Sequence, residues 1–533
     1  MSRTPAPPAS AANGARALVR TLAAGGVELC LANPGTSEMH FVAALDREPR
    51  LRAVLGLFEG VVSGAADGYA RMAEKPAVGL FHLGPGFANA IANLHNARRA
   101  ASPVLAVIGD HATHHQPWDA PLSSDIDGLA GAVSHWVGRC RSPDELAVMG
   151  ARALTAAQEP PGQIASLIVP ADTAWRAAAH APQRVARPRP QKVAGARVRT
   201  AAERLRKGKA ALLLRGKVLQ AEGLELAGRI ATATECRLLV DTFAPRLERG
   251  AGRVRVERLP YFPEQLAESL QSVQQLILVG GTEPVAFFAY PNLPSSPLAE
   301  GCDLVRLAHA SEDGVGALRD LAAQLRAPRA PAPAHYARHE PLPKARGALT
   351  AEACAPALVR HLPEGAIVSD EAATSGLGIG LALERARPHD HLSLTGGAIG
   401  QGLPLATGAA LACPQRKVLC LHGDGGAMYT LQSLWTQARE QLDVTTVIFS
   451  NRAYAILSIE MHRTGEAGGA KAASLFDLAN PALRWTQLAE GMGVAASRAE
   501  TAEEFDAQLA AALRTRGPHL IEAVLPGGVR RPN

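Results

Sequence analysis

Short apolar runs alternate with segments of helical periodicity along most of this sequence. Residues 418–421 and 444–449 are rich in aliphatic side chains, many of them β-branched, which is typical of strands buried on both faces. Between these runs, Leu431, Leu434 and Trp435 recur at helical spacing. The pattern therefore predicts a strand–helix–strand unit. Similar alternation elsewhere in the chain predicts an α/β fold with parallel sheets.

Polar and small residues follow each of these two predicted strands. Gly423, Asp424, Gly425 and Gly426 follow the first strand, and Asn451 follows the second. The glycines allow close approach of a ligand, and the next helix directs its free N–H groups there, which suits a diphosphate. Asp424 and Asn451 offer hard oxygen ligands of the kind that Mg²⁺ prefers. A glycine turn before a helix, with Asn451 as an ordinary turn residue, is the alternative.

Length and charge narrow the class of protein. A chain of 533 residues with 47% hydrophobic residues is long enough for roughly three domains with large cores. The net charge is +6, and much of the basic excess lies in proline-rich segments. We interpret these as solvated linkers and expect no nucleic-acid partner.

The seven cysteines are scattered, with no C-x-x-C pair, which predicts reduced thiols in a cytoplasmic protein. The first dozen residues lack the apolar core of a signal peptide, and no long uncharged apolar run predicts a membrane span. Shifts in composition divide the chain into six segments. These are a disordered tail (1–12), a first domain (13–182), a linker (183–197), a middle domain (198–325), a second linker (326–346) and a third domain (347–533).

Two groups of residues resemble motifs of one family. Gly-Asp-Gly at 423–425, followed by Asn451, resembles the cofactor motif of thiamine diphosphate (ThDP) enzymes. The turn at 33–38, Glu59 and the run at 67–71 look like the pyrimidine-binding domain of the ThDP-dependent 2-oxo acid decarboxylase and acetolactate synthase superfamily. Benzoylformate decarboxylase and the acetolactate synthase large subunit are its nearest branches. The resemblance implies three doubly wound parallel-sheet α/β domains: pyrimidine-binding, Rossmann-like middle and diphosphate-binding.

The resemblance also implies catalytic residues in the first domain. Glu59 matches the glutamate that hydrogen-bonds the aminopyrimidine ring and activates the cofactor. His82 matches an active-site histidine of the benzoylformate decarboxylase branch, and Thr36 stands where that branch has a serine. Asp110 and His111 border the predicted pocket, and we do not expect the histidine-rich loop there to bind a metal. The alternatives are a helix-capping glutamate and a strand-end histidine bonded to the backbone.

Further positions match the cofactor and substrate sites of the family. Asp424, Asn451 and the carbonyl of Ala453 match the Mg²⁺ ligands, and Ile399 matches the residue that wedges ThDP into its bent form. Ile456 and Leu457 match substrate-pocket positions, where Ile456 favours a small aliphatic 2-oxo acid such as pyruvate. The predicted cofactor-binding set is Glu59, Glu371, Ala372, Ala398, Ile399, Gly425, Gly426 and Tyr454. FAD is not expected, and the G-x-G-x-x-G signature of dinucleotide sites is missing.

The predicted reaction is ThDP- and Mg²⁺-dependent decarboxylation of a small 2-oxo acid, followed by carboligation to an aldehyde or a second 2-oxo acid. Two departures from the family keep other outcomes open. Gly60 replaces the glutamine usual in the synthases, and the loop at 286–290 lacks the second histidine of benzoylformate decarboxylase. The alternatives are a non-ligating decarboxylase, an inactive ThDP-binding partner protein and a nicotinamide oxidoreductase. The resemblance implies a homodimer or homotetramer with active sites between subunits.

Overall fold

The computed structural model describes residues 12–179, 182–291, 293–465 and 468–527. The predicted tail at 1–12 lies outside these ranges except for Ala12. Three sheets, built mainly of parallel strands and flanked by helices, form the described part of the chain, which confirms the predicted α/β fold. Its strands are β1 Leu29–Ala32, β2 Arg52–Leu55, β3 Ala77–Phe81, β4 Val104–Asp110, β5 Trp136–Arg139, β6 Ile164–Pro170, β7 Ala210–Leu214, β8 Arg237–Val240, β9 Leu247–Arg249, β10 Glu257–Arg258, β11 Gln275–Val279, β12 Asp303–Ala308, β13 Ala366–Glu371, β14 His389–Ser393, β15 Val418–Gly423, β16 Val444–Ser450, β17 Ala495–Ala499 and β18 His519–Val524.

Helices connect most of these strands, as parallel sheets require. The α-helices are α1 Gly14–Ala24, α2 Met39–Leu45, α3 Glu59–Ala73, α4 Leu83–Ala100, α5 Ile126–Val133, α6 Glu145–Ala157, α7 Ala171–Trp175, α8 Gly195–Arg206, α9 Ala221–Thr234, α10 Pro263–Leu270, α11 Gly314–Gln324, α12 Ala351–His361, α13 Ala373–Ala382, α14 Gly402–Ala412, α15 Asp424–Ala427, α16 Ser433–Arg439, α17 Ala455–Arg463, α18 Ala470–Phe476, α19 Trp485–Gly491 and α20 Ala502–Arg514. No helix within the described residues is both long and apolar enough to cross a membrane.

The described residues form two compact units, and the first lies within the ranges 1–189 and 396–413. Its sheet has the strand order β2-β1-β3-β4-β6-β5, with every pair parallel. The order reverses between β1 and β3, so the loops that follow these strands meet at a topological switch point. Ligands of open α/β sheets bind at such points.

A late segment of the chain packs into this first unit. Helix α14 lies against α3, and glycines at the contact let the backbones approach closely. A Cβ atom on Gly68 would lie 2.1 Å from the carbonyl oxygen of Leu405, and one on Gly408 would lie 1.9 Å from that of Ala65. Larger residues at either glycine would therefore separate the two helices.

The second unit, residues 190–395 and 414–533, holds two sheets. The middle sheet has the order β10-β8-β7-β11-β12 and is parallel throughout. The third sheet has the order β17-β18-β16-β15-β13-β14-β9 and is parallel except for β9, which pairs antiparallel with β14. Its order reverses between β13 and β15. The loops after β13, β15 and β16 therefore lie side by side at the edge where a ligand is expected.

Each sheet has a buried core formed by the apolar strands and the helices that cover them. Each fully buried leucine or isoleucine contributes about 1.5–3 kcal/mol by its removal from water. The seven cysteines all lie in the described ranges and are thiols. Helix α8 begins inside the segment predicted as the first linker, because the apolar spacing of Val198, Ala202 and Leu205 lets it cover the middle sheet.

Candidate active site

Glu59 is the first residue of α3 and is 6% exposed. Asn33, in the loop after β1, donates through Nδ2 to Glu59 Oε1 at 3.0 Å. Asn89, on α4, donates through Nδ2 to Glu59 Oε2 at 3.0 Å. A buried carboxylate is costly unless donors compensate for lost water, and these two amides supply that compensation. They also fix the direction of the carboxyl group.

Gly86 completes the surroundings of Glu59. A Cβ atom at position 86 would lie 3.1 Å from Glu59 Oε1 and 3.2 Å from His82 Cβ. Both distances are tighter than ordinary van der Waals contact, so glycine leaves space beside the carboxylate that any other residue would occupy.

His82 follows β3 and contacts a second buried carboxylate, that of Glu38. His82 Nδ1 lies 2.8 Å from Glu38 Oε2, and 24% of the His82 side chain is exposed. Glu38 also accepts hydrogen bonds from the backbone N–H of Gly35 at 2.9 Å and from the Ser37 hydroxyl at 2.5 Å. The carboxylate therefore orients the imidazole and leaves Nε2 on the far side of the ring.

Ser37 carries a hydroxyl group that contacts His82. Ser37 Oγ lies 3.3 Å from His82 Nδ1, whereas Thr36 is exposed at the start of the same 3₁₀ turn. The catalytic role of Thr36 stays a prediction. The sequence reasoning did not assign Ser37 to the site.

The histidine-rich loop after β4 is held by Asp110. This carboxylate accepts from the backbone N–H of His111 at 2.7 Å, from Gln116 Nε2 at 2.9 Å and from Arg139 Nη1. His111 is half-buried, and its ring centroid lies 5.4 Å from that of His115. In the described part of the chain, no three His, Cys, Asp or Glu side chains converge as a metal site.

The segment before α14 is bound by α4 within the first unit. Asn96 donates through Nδ2 to the carbonyl oxygen of Ala398 at 2.8 Å, and its Oδ1 accepts from the Ala398 N–H at 3.2 Å. His95 Nε2 lies 3.1 Å from the carbonyl oxygen of Gly396. Ile399, the predicted wedge residue, is 37% exposed. Asn96 thus fixes the backbone beside a side chain that remains accessible.

Asp424 lies in the second unit, at the start of α15 after β15, and is 3% exposed. Its Oδ1 accepts from the backbone N–H of Gly425 at 2.8 Å, and its Oδ2 accepts from that of Arg452 at 2.7 Å. Burial raises the pKa of Asp424, and the backbone hydrogen bonds oppose only part of that effect. A cation beside this carboxylate would relieve the remaining cost.

The loop after β16 carries the other two oxygen donors of the predicted metal set, on Asn451 and Ala453. Asn451 Oδ1 accepts from the Ala453 N–H at 3.1 Å, which turns the loop back on itself. The carboxylate of Asp424, the amide oxygen of Asn451 and the carbonyl of Ala453 are all hard oxygen donors. Such a donor set fits Mg²⁺ together with a diphosphate.

Tyr454 and Glu371 pack against the two glycines at the start of α15. A Cβ atom on Gly425 would lie 2.4 Å from Tyr454 Cε1, and one on Gly426 would lie 2.9 Å from Glu371 Oε1. Glu371 Oε2 lies 3.4 Å from Nε2 of the fully buried His422. The glycines therefore let the helix start approach both side chains more closely than any other residue would allow.

Ala372 and the substrate-pocket candidates complete the predicted set in this unit. Ala372 is buried, and its N–H donates to Asp370 Oδ1 at 3.1 Å. Ile456 and Leu457 lie in the first turn of α17, where Ile456 is half-buried and Leu457 is 42% exposed.

Backbone strain accompanies three of these loops. Leu83, Ala373 and Arg452 have φ values of 48°, 49° and 57°, in the left-handed region that non-glycine residues avoid. Each directly follows a predicted site residue: His82, Ala372 or Asn451. Such strain costs of order 1 kcal/mol or more per residue and often clusters at functional sites.

Side chains that contact the predicted residues from distant positions in the sequence are the part of the site that sequence reasoning missed. Glu38, Asn89, Asn96 and His422 contact predicted site residues, but none was assigned to the site. Asn89 lies 30 residues after Glu59, and no local motif connects them. Only the folded sheet brings such pairs together.

A buried glutamate in the first unit, and an oxygen donor set beside a glycine-rich helix start in the second, are the features expected of a ThDP-dependent enzyme. Two family models match the chain. Residues 12–130 match the thiamine pyrophosphate enzyme N-terminal TPP binding domain, and residues 379–523 match the C-terminal TPP binding domain. The chain belongs to the thiamine pyrophosphate enzyme family, which confirms the resemblance.

Similar proteins agree with this assignment. "Putative acetolactate synthase large subunit IlvX" of Mycobacterium tuberculosis is 50% identical over 519 residues, covering 96% of this chain and 99% of that protein. Benzoylformate decarboxylase of Pseudomonas aeruginosa is 27% identical, covering 93% and 96%. The structure of Rhodococcus jostii RHA1 4-hydroxybenzoylformate decarboxylase matches with a TM-score of 0.80 at 23% identity, covering 97% and 100%, and shows likeness of fold. The chain is therefore a ThDP-dependent enzyme of the acetolactate synthase or 2-oxo acid decarboxylase type.

Proposed function

We propose that this enzyme decarboxylates a small, pyruvate-like 2-oxo acid with ThDP and Mg²⁺, and joins the product to an aldehyde or a second 2-oxo acid. The observation that carries this proposal is the buried Glu59, whose two oxygens are each held by a side-chain amide. An inert relative would have no need for a carboxylate oriented at this cost. The 50% identity to an acetolactate synthase-like protein supports the carboligation step.

Glu59 would act on the cofactor's aminopyrimidine ring by holding or releasing a proton. Each carboxylate oxygen keeps a second lone pair after it accepts from Asn33 or Asn89. A third partner can therefore bind while both amides remain in contact. When bound, ThDP supplies the nucleophilic carbon and the electron sink for the loss of CO₂.

His82 would orient the substrate or move a proton beside it. Because the Glu38 carboxylate can only accept, we assign the proton of the neutral ring to Nδ1, which lies 2.8 Å from Glu38 Oε2, and the lone pair to Nε2. The imidazole can bind a proton at Nε2 while Glu38 stabilises the resulting charge. His111, half-buried in the loop after β4, is a second candidate for contact with the substrate.

Mg²⁺ would be held by Asp424, Asn451 and the carbonyl of Ala453. The burial that raises the pKa of Asp424 supports a cation at this position. A larger set of residues would bind the rest of ThDP: Glu371, Ala372, Ala398, Ile399, Gly425, Gly426 and Tyr454.

Ile456 and Leu457 support a preference for small aliphatic substrates. Both are bulky aliphatic residues at the start of α17, and Ile456 is only partly exposed. A contact of this size changes selectivity by about 1–3 kcal/mol, or roughly 10–200-fold. An aromatic 2-oxo acid would need more space than pyruvate at these positions.

A non-ligating decarboxylase of the benzoylformate decarboxylase type is the second candidate. The pairing of His82 with Glu38 favours it, because that branch uses a histidine at the position of His82. Against it, the loop at 286–290 has Phe287 and Phe288 in place of a second histidine. We also propose a homodimer or homotetramer in the cytoplasm, which ultracentrifugation and cell fractionation would test.

A product screen tests these proposals. The purified protein with ThDP and MgCl₂ is supplied with pyruvate, 2-oxobutyrate or benzoylformate, with and without an aldehyde acceptor. We expect CO₂ release with pyruvate, together with a 2-hydroxyketone when the acceptor is an aldehyde or a 2-hydroxy-3-oxo acid when the acceptor is a second 2-oxo acid. Release of aldehyde alone would favour the second candidate. Tight ThDP binding without turnover on any substrate would favour the remaining alternative, an inactive ThDP-binding partner protein.

A further inference from the structure

Helix α17 carries both substrate-pocket candidates, yet apolar packing does little to hold it. All nine residues of this helix are described, and none of them is buried. Most helices of globular proteins are fixed by one apolar face against the core. The position of α17 must therefore depend more on specific polar and aromatic contacts.

Those contacts come from the region of the middle sheet, within the same unit. Tyr290, in the loop after β11, donates its hydroxyl to Glu460 Oε2 at 2.5 Å. The guanidinium carbon of Arg463 lies 4.6 Å from the centre of the Tyr290 ring and 4.8 Å from that of Phe262. Arg463 Nη2 also lies 2.9 Å from both carboxylate oxygens of Glu264, on α10. These residues, Tyr290, Phe262, Glu264, Glu460 and Arg463, form an aromatic and ionic clamp.

Helical spacing connects this clamp to the predicted pocket. Ile456, Glu460 and Arg463 are separated by four and three residues, so they lie along one face of α17. A rotation or tilt that breaks the contact at Glu460 must also move Ile456. The contact of Glu460 near the end of α17 therefore determines the position of the Ile456 side chain at its beginning.

We propose that Tyr290 is a positioning residue, which holds α17 through Glu460 and Arg463 and so sets the shape of the substrate pocket at Ile456. This inference rests on the proposed function for its meaning in catalysis. It assigns the loop at 286–290, which lacks the histidine of related decarboxylases, a mechanical role in place of a chemical one.

The chemistry of the pair favours a strong contact. A hydroxyl that donates to a carboxylate forms a charge-assisted hydrogen bond, which is shorter and stronger than a neutral one. Burial, together with the hydrogen bond to Glu460, raises the pKa of Tyr290, so the phenol stays a donor at neutral pH. Arg463 between two rings adds cation–π attraction.

The test compares Tyr290→Phe with a matched control, Tyr336→Phe. Tyr336 Oη also donates to a glutamate, Glu225, at 2.9 and 3.0 Å, but its partner lies on α9 of the middle sheet. Loss of a hydrogen bond to a charged group corresponds to a roughly tenfold change in the equilibrium that opens the structure it holds. We expect Tyr290→Phe to accelerate amide hydrogen exchange in residues 455–463 about tenfold, and to raise KM for the 2-oxo acid more than it lowers kcat. Tyr336→Phe should change neither.

Substitutions of Glu460 provide the second arm. Glu460→Gln keeps an acceptor for the Tyr290 hydroxyl but loses the charge, so its exchange should lie between that of wild type and that of Tyr290→Phe, whereas Glu460→Leu should match Tyr290→Phe. This arm also decides the question if Tyr290→Phe does not fold. Exchange in α17 that is the same in Tyr290→Phe or Glu460→Leu as in Tyr336→Phe would overturn the proposal. Absence of turnover in the wild type would refute the proposed function, while the exchange measurement would still test the clamp.

Discussion

Two buried carboxylates at the candidate sites are held in different ways. Glu59 is 6% exposed and accepts from two side-chain amides, Asn33 Nδ2 and Asn89 Nδ2. Asp424 is 3% exposed and accepts from two backbone N–H groups, those of Gly425 and Arg452. Both groups thus have one donor per oxygen, but only the donors of Glu59 can be removed by changing a side chain.

The side-chain donors of Glu59 fix the direction of its carboxylate, whereas the backbone donors of Asp424 leave part of its charge to be balanced. Side-chain amides can be arranged to hold a carboxylate in one direction while leaving lone pairs for proton exchange. Backbone donors are set by the shape of the loop, and they leave Asp424 with a pKa raised by burial. A cation would complete the second arrangement, and a proton-exchanging ring would complete the first. Each substitution below removes one part of this contrast.

Glu59→Gln should have the largest effect. The amide has nearly the same shape but cannot exchange a proton as a carboxylate does, and proton transfer by a positioned group contributes about 10²–10⁴-fold. We expect turnover to fall by at least about 100-fold while ThDP binding, measured by calorimetry, changes little. Glu48→Gln is the control, because Glu48 is also 6% exposed but pairs with Arg50 away from the site. Unchanged turnover in Glu59→Gln would refute the assigned role.

Asp424→Asn should act on binding instead of turnover at saturation. It removes the negative charge that the proposed Mg²⁺ site requires, and its amide nitrogen can no longer accept from one of the two backbone N–H groups that Asp424 binds. Changes next to a metal ligand cost about 10–100-fold in affinity, so loss of the ligand itself should weaken ThDP binding with Mg²⁺ by about 100-fold or more. Asp477→Asn, an exposed carboxylate that faces Ala453 across a backbone bridge, should bind normally. Equal affinity for both variants would remove Asp424 from the metal set.

The sequence predicted the strands better than it predicted how they associate. The run at 418–421 lies within β15 and the run at 444–449 within β16, because long β-branched runs are buried on both faces. Strand β9 has the sequence Leu-Glu-Arg, with no apolar run to mark it, and pairs with β14 more than 130 residues later. Such a short edge strand is determined by its partner.

The candidate site divides in the same way. Asp424 and Asn451 follow adjacent parallel strands, so their proximity was predictable from local patterns and the geometry of the sheet. The pairing of His82 with Glu38 spans 44 residues and depends on the space that Gly109 leaves. A Cβ atom on Gly109 would lie 1.7 Å from Glu38 Oε1, a constraint that appears only in three dimensions.

Asn89→Ala should have an intermediate effect, because it removes one of the two donors to Glu59. A hydrogen bond to a charged group contributes about 1.5–3 kcal/mol, which corresponds to a roughly 10–100-fold loss of turnover. Arg98→Ala is the control on the same helix, since Arg98 Nη1 donates to the carbonyl oxygen of Ala132 and not to the carboxylate. The control should keep its turnover per folded enzyme. Equal turnover in the two variants would mean that Asn89 does not orient Glu59.

The smallest expected effect is on the stability of the fold at low pH. It concerns two buried histidines of the third sheet, His389 and His391, in contrast to the partly exposed His82. Burial, with the positive charge of Arg249 next, holds the pKa of His389 well below its ordinary value of 6.5, and burial also lowers that of His391. The unfolded chain therefore binds protons below about pH 6.5 that the folded chain does not. Since protons then favour the unfolded state, stability must fall as the pH decreases.

His389→Gln should reduce this acid sensitivity. One histidine that stays neutral when folded accounts for about 1.4 kcal/mol of lost stability between pH 7.5 and pH 5.5. Urea unfolding at the two pH values measures the difference, with the exposed His339→Gln as control. The variant should lose less stability than wild type on acidification, and the control should lose as much. The same loss in His389→Gln as in His339→Gln would show that this histidine is protonated in the folded sheet, and the contrast between the two regions would then be limited to their carboxylates.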